Sequence, residues 1–202
     1  MIKNIIFDFG NVLARFYADE LTAPCVSDEN ARKIISEVVF DRLYWDRLDN
    51  GTITDEEVKE GICSRLPESY HKEACDVYDS WVKNLIPVPG MEKLVEDLSK
   101  TDKKLYLLSN ISIYFANTYS QVPWIKNLFS HFDGLVLSGP IGKIKPDAEI
   151  FLHLLNEYGL NADECIFIDD TQKNIDGAAE AGIKGYTFDG DADKLREFLK
   201  SL

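Results

Sequence analysis

The feature that most constrains this chain is the stretch Lys3-Asn4-Ile5-Ile6-Phe7-Asp8-Phe9-Gly10-Asn11-Val12-Leu13 near its N-terminus. Ile5, Ile6 and Phe7 are consecutive β-branched or aromatic residues, which suit a pleated surface. A run with no polar face marks a strand of a parallel sheet covered on both sides. Asp8 ends the run, and Gly10 and Asn11 break it. Open α/β sheets bind ligands beyond the carboxyl ends of their strands, so Asp8 stands where a ligand would lie. Alone, Asp8 reads equally well as a turn cap, and the rest of the chain has to separate the two.

From Ala14 to Asn84 the pattern is helical, with no convincing buried strand. Ser27 is placed to cap a helix through Ala31, Ile34, Ile35 and Val38. Asn50-Gly51 reads as a turn, and Thr54 with Glu57 forms a capping box ahead of Val58 and Ile62. Beyond Pro67, Tyr70, Ala74, Val77, Tyr78 and Trp81 lie on one helical stripe. Pro87-Val88-Pro89-Gly90 marks a boundary, after which helices and strands alternate. Strands are expected at Leu105–Leu108, Leu135–Leu137, Cys165–Ile168 and Tyr186–Phe188, with helices between them. Pro146 takes the favoured first position of one of these helices. The predicted fold is α/β: a doubly wound, Rossmann-like parallel sheet with a small all-helical cap inserted after the first strand. Residues 1–14 and 86–202 form the core domain and 15–85 the cap.

Length and charge set limits. The 202 residues allow one domain with a small insertion. The net charge of −13 argues against nucleic acid or an anionic membrane surface as partner. No apolar run reaches the ~20 residues of a membrane span, and no signal peptide is visible. Cys25, Cys63, Cys75 and Cys165 lack C-x-x-C spacing and read as reduced thiols of a cytoplasmic protein.

The strand ends carry the chemistry. Asp8, Ser109-Asn110, Ser138 and Asp169-Asp170 follow apolar strands directly, and parallel strands present such ends on one edge. Lys145 lies in the nearby loop Gly142-Lys143-Ile144-Lys145-Pro146. Three converging carboxylates would repel one another, and a hard divalent cation such as Mg²⁺, which prefers oxygen ligands, relieves that. The competing readings are a turn and N-cap pair for Asp169-Asp170, a plain strand-end hydroxyl for Ser109, and Lys143 in place of Lys145. Tyr44, Trp45 and Trp81 read as core residues before substrate platforms.

In spacing and order these segments resemble the motifs of the haloacid dehalogenase superfamily. Asp8-Phe9-Gly10-Asn11-Val12 resembles the first, Leu107-Leu108-Ser109-Asn110 the second, Lys145-Pro146 the third and Ile168-Asp169-Asp170 the fourth. The opening Asp-x-Gly-Asn-Val is most similar to the subgroup that includes bacterial α-glucose-1-phosphate phosphatases. The resemblance implies that Asp8 attacks phosphorus to give an aspartyl-phosphate. It implies that Mg²⁺ is held by Asp8, the Gly10 carbonyl and Asp170, with Asp169 assisting, and that Lys145 binds a phosphoryl oxygen and restrains Asp8. Ser109 with the main-chain N–H groups beside it, together with Asn110, Gly10 and Asn11, would hold the substrate, a small phosphorylated metabolite.

The chain departs from the family pattern at Gly10, where most phosphatases of the family carry an Asp that acts as general acid and base. Without it, substrates with good leaving groups such as sugar 1-phosphates are favoured, and the phosphoenzyme is hydrolysed slowly. Asn174 stands where many relatives are acidic, and is expected to hydrogen-bond Lys145 or its loop. A 2-haloacid dehalogenase also uses an Asp nucleophile without the second Asp, but needs no metal. A non-catalytic binding protein of the same fold is the other alternative.

Overall fold

The computed structural model describes residues 1–202. Its main sheet has five parallel strands in the order β5-β4-β1-β6-β7. These are β1 (Asn4–Phe7), β4 (Lys104–Ser109), β5 (Gly134–Leu137), β6 (Cys165–Asp169) and β7 (Lys184–Thr187). β1 is central because both its faces are apolar. Ile5 and Phe7 enter the larger core cluster, whereas Ile6 enters a second one on the opposite face with Phe151, Leu154 and Phe167. β7 is an edge strand with exposed residues; it covers Lys184–Thr187 where Tyr186–Phe188 was expected.

Between β1 and β4 the chain forms β2 (Ala14–Arg15), then α1 (Ala18–Thr22), α2 (Glu29–Val39), α3 (Arg42–Asp49), α4 (Asp55–Ser64) and α5 (His71–Asn84). β3 (Ile86–Pro87) follows and pairs antiparallel with β2, closing the helical insertion at its neck. Asp28, not Ser27, caps α2, with its carboxylate accepting from the Ala31 N–H at 2.8 Å. Thr54 and Glu57 make the expected capping box of α4. The larger core cluster of 41 buried residues runs without interruption from Ile35, Trp45, Val58 and Trp81 of the insertion to Phe7 and Leu105 of the sheet. Burial of this shared apolar surface ties the helices to the sheet.

The remaining helices are α6 (Met91–Leu98), α7 (Ile113–Thr118), α8 (Pro123–Phe129), α9 (Ser138–Ile141), α10 (Ala148–Tyr158), α11 (Gln172–Glu180) and α12 (Ala192–Lys200). Pro123 opens α8 at its first turn. Pro146 does not open α10, which begins two residues later; it follows Lys145 through a cis peptide. Gly177 of α11 packs against it so closely that a Cβ would meet the Pro146 carbonyl oxygen at 2.1 Å. No helix is long and apolar enough to cross a membrane.

Candidate active site

Strand register builds the site. Phe7 pairs with Leu107 on one side and Ile168 on the other, so the next residues of β1 and β6, Asp8 and Asp169, lie level. The Asp8 N–H donates to the Ile168 carbonyl at 2.9 Å, and the Asp8 carboxylate accepts the Phe9 N–H at 2.7 Å. The Lys145 ammonium lies between the two aspartates, 2.8 Å from Asp8 Oδ1 and 2.7 Å from Asp169 Oδ2. All three side chains are buried. Lys143 is not in this cluster and pairs with Glu149 at 2.8 Å.

Lys145 is fixed by Asn110 rather than by a helix start. The Asn110 side chain accepts from the Lys145 N–H at 2.7 Å and donates to its carbonyl at 2.9 Å. The amide thus grips both main-chain groups of the lysine that must reach Asp8. Ser109 lies beside it, buried, and its hydroxyl has no partner within the protein. Ser138 holds the neighbouring loop by accepting the Ile111 N–H at 2.8 Å.

Asp169 is saturated with donors. Besides Lys145, its carboxylate accepts the Thr171 N–H at 2.8 Å and the Asn174 amide at 3.1 and 3.0 Å. Asn174 therefore supports the lysine indirectly, through its counter-ion, and does not touch Lys145. Asp170 is less buried and accepts only long bonds, from the Asn11 amide and the Thr171 hydroxyl, both at 3.4 Å. Asn11 adopts a left-handed conformation (φ 53°) that Asn tolerates better than most residues, and its other amide atom accepts the Phe16 N–H at 3.0 Å. This turn bends the chain sharply after Gly10, where an added Cβ would meet nothing within 4 Å.

Oxygen atoms of Asp8, Asp169 and Asp170 lie within 4.8 Å of one another, opposed by the single Lys145 charge. Burial, reinforced by Asp169 and opposed by Lys145, pushes Asp8 up to about 7. Burial and Asp169 also raise Asp170. Burial pulls the Lys145 ammonium down, but Asp8 and Asp169 together outweigh it and its pKa is raised. Excess negative charge in hard oxygen donors fits a divalent cation of the Mg²⁺ type.

The cluster opens into a cavity of about 600 Å³ between sheet edge and insertion. Trp45 and Trp81 belong to the core, as expected, and also line this cavity with Phe16 and Phe40. Tyr44 stays outside it, packed against Gly61. Arg42, Asp49 and Lys173 line it too, unforeseen from the sequence. The missed signal for Asp49 is its spacing of four residues from Trp45, which puts a carboxylate on the buried stripe of α3.

A central parallel strand that ends in an aspartate held by a lysine and flanked by further carboxylates, at the edge where α/β sheets take their ligands, fits an α/β hydrolase. Residues 2–182 match the haloacid dehalogenase-like hydrolase model, and the chain belongs to that family. It is 26% identical to a sesquiterpene phosphatase of Aspergillus oryzae, over 91% of this chain and 88% of that one. It is likewise 26% identical to a D-ribitol-5-phosphate phosphatase of Bacteroides thetaiotaomicron, over 100% and 99% of the two chains. A haloacid dehalogenase family enzyme from the latter organism, solved as a magnesium complex, superposes with a TM-score of 0.73 at 26% identity, covering 98% of each chain.

Proposed function

We propose that this hydrolase is a Mg²⁺-dependent phosphatase that acts on a small phosphorylated metabolite through an aspartyl-phosphate. The observation that carries the reading is the Asp8–Lys145 pair, at 2.8 Å, on the floor of the cavity. The ammonium orients the Asp8 carboxylate for attack and is the nearest fixed cation to an incoming phosphoryl group. The free Ser109 hydroxyl receives a second phosphoryl oxygen, while Asn110 keeps Lys145 in place. Asp8, Asp170 and the Gly10 carbonyl would hold Mg²⁺, while Asp169, whose oxygens already accept from Lys145, Thr171 and Asn174, would assist through water. When bound, the metal neutralises charge between an anionic nucleophile and an anionic substrate. Phosphoryl transfer asks mainly for positioning and electrostatics, which these groups provide. Phosphatase names among the relatives, and the magnesium complex of a related structure, support the same reading.

Sugar phosphates fit the cavity's size, and 1-phosphates fit the lack of an acid at Gly10. The acidic surface disfavours nucleic acid and anionic membranes as partners, and the four free thiols suit a cytoplasmic setting. The excess of carboxylates argues against a metal-free dehalogenase. A panel of phosphorylated and halogenated small compounds, assayed with and without Mg²⁺, tests the reading. Phosphate release that depends on Mg²⁺ is expected; halide release, or no turnover of any compound, would sink it. Asp170→Ala is expected to weaken Mg²⁺ binding and lower activity together. Lost activity with an unchanged Mg²⁺ requirement would remove Asp170 from the metal site.

A further inference from the structure

Asp49 is the last residue of α3, and it is only 8% exposed. Its carboxylate makes no hydrogen bond or ion pair; only its main-chain carbonyl is engaged. A buried carboxylate without a partner is costly, and this one lines the cavity that holds Asp8 and Lys145. The charged groups that face it are Arg42 and Asp46 on its own helix and Lys145 from the core. Burial dominates and pushes its pKa up to about 7, with Asp46 adding to the rise and Arg42 and Lys145 opposing it. That range suits a group that both gives and takes a proton near neutrality.

The backbone holds Asp49 firmly. Its carbonyl accepts the Ser138 hydroxyl at 2.5 Å, and the same hydroxyl accepts the Ile111 N–H at 2.8 Å, one residue past Asn110. Two residues on, Gly51 (φ 71°) approaches the core so closely that a Cβ would lie 2.5 Å from the Gly139 carbonyl oxygen. Asp49 is therefore fastened to the loops that position Ser109 and Lys145.

In-line displacement puts the leaving oxygen on the side of phosphorus opposite Asp8, away from the sheet edge and toward the insertion. The wall there is aromatic and aliphatic, from Phe16, Phe40, Trp45, Trp81 and their neighbours, apart from Arg42 and Asp49. A guanidinium stays protonated, so Asp49 is the one group on that wall that can exchange a proton. The nucleophile's own loop offers none, because position 10 is glycine.

We propose that Asp49 is the acid–base residue of this active site, supplied by the insertion in place of the side chain that Gly10 lacks. The proposal rests on the phosphatase reading. In the first step the Asp8–phosphorus bond forms, the ester P–O bond breaks, and the Asp49 carboxylic acid protonates the departing oxygen. In the second, the Asp49 carboxylate takes a proton from the water that attacks phosphorus. The Asp8–phosphorus bond then breaks, and its electron pair returns to the Asp8 carboxylate. One ester and one water give one alcohol and one phosphate, and Asp49 is again an acid. The preference for 1-phosphates over 6-phosphates and the phosphoenzyme accumulation expected from Gly10 alone then both belong to the Asp49→Asn variant.

Rapid-quench measurements on the Mg²⁺-loaded protein test this, with the best alkyl phosphate of the panel and with p-nitrophenyl phosphate, whose leaving group needs no proton. Asp49→Asn is expected to slow phosphoenzyme formation from the alkyl phosphate by ~10²–10⁴, and that from p-nitrophenyl phosphate at least about tenfold less. Adding Gly10→Asp to Asp49→Asn is expected to recover part of the alkyl phosphate rate, since the space beside Gly10 is open. Equal losses on the two substrates, or a change in KM alone, would overturn the proposal and leave Asp49 as a binding group. A wild-type enzyme that cleaves p-nitrophenyl phosphate but no alkyl phosphate would overturn it too. No cleavage of either substrate by wild type would instead remove the phosphatase reading beneath it. Thermal melting of both variants separates lost chemistry from lost folding.

Discussion

Asp8→Asn is expected to remove turnover, by on the order of 10⁴–10⁶ in kcat, while the protein keeps its fold. Asparagine has nearly the shape of aspartate and can still accept the Phe9 N–H that orients the native carboxylate. It offers no nucleophilic oxygen to phosphorus. The acid-quench signature of a phosphoenzyme should vanish with the rate, and a variant that turns over at the wild-type rate would rule out covalent catalysis by Asp8. Stability carries an independent mark. Burial, ahead of the Asp169 charge, raises Asp8 from the ordinary carboxylate range to about 7, despite Lys145. A raised carboxyl pKa contributes stability that is present below the unfolded value and lost as pH rises through the folded one. With metal chelated, wild type is therefore expected to lose stability relative to Asp8→Asn between about pH 4 and pH 7. Melting curves at several pH values read this, and parallel behaviour of the two proteins would show that Asp8 ionises as an ordinary carboxyl group.

Lys145→Ala is expected to lose both activity and stability. Removing one fixed electrostatic partner of the transition state costs ~10²–10³ in kcat. The structural cost is larger than for a surface lysine. Asp8 and Asp169 would be left buried without their shared cation, and breaking a buried pair in this way costs about 3–5 kcal/mol. Asp169 keeps its bonds from Thr171 and Asn174, so Asp8 bears most of the imbalance. Added Mg²⁺ should restore part of the stability by supplying positive charge to the same carboxylates. Urea unfolding with and without Mg²⁺ measures this. A variant as stable and active as wild type would transfer the lysine's role elsewhere, although Lys143 is held by Glu149 at the surface.

Much of the fold was legible because it rests on local repetition. The apolar run of β1, the helical stripes of the insertion and the alternation beyond Gly90 each follow from side-chain periodicity. Errors fell at element ends, where neighbouring residues compete for one role. Ser27 and Asp28 are both good caps, and the carboxylate that reaches the Ala31 N–H prevailed. Pro146 suits a helix start, yet the chain places it in the loop against Gly177 and begins α10 at Ala148.

The amino-acid sequence by itself determined which strands are buried, and therefore that Asp8, Ser109 and Asp169 stand at strand ends. Apolar runs on a parallel sheet leave their following residues on one edge whatever the details of packing. Only the tertiary structure decided how those residues are used. Asn110 grips the main chain of Lys145 across 35 positions, and Asn174 supports Asp169 rather than the lysine. The Ser138–Asp49 bond joins residues 89 positions apart and carries an unpartnered carboxylate into the cavity. Contacts of such separation leave no periodic trace in a sequence, because each depends on a single side chain meeting one distant group rather than on a repeated pattern. The missing side chain at Gly10 could be read from the sequence, whereas only the docking of the insertion on the sheet decided that the buried carboxylate of α3 faces the same cavity.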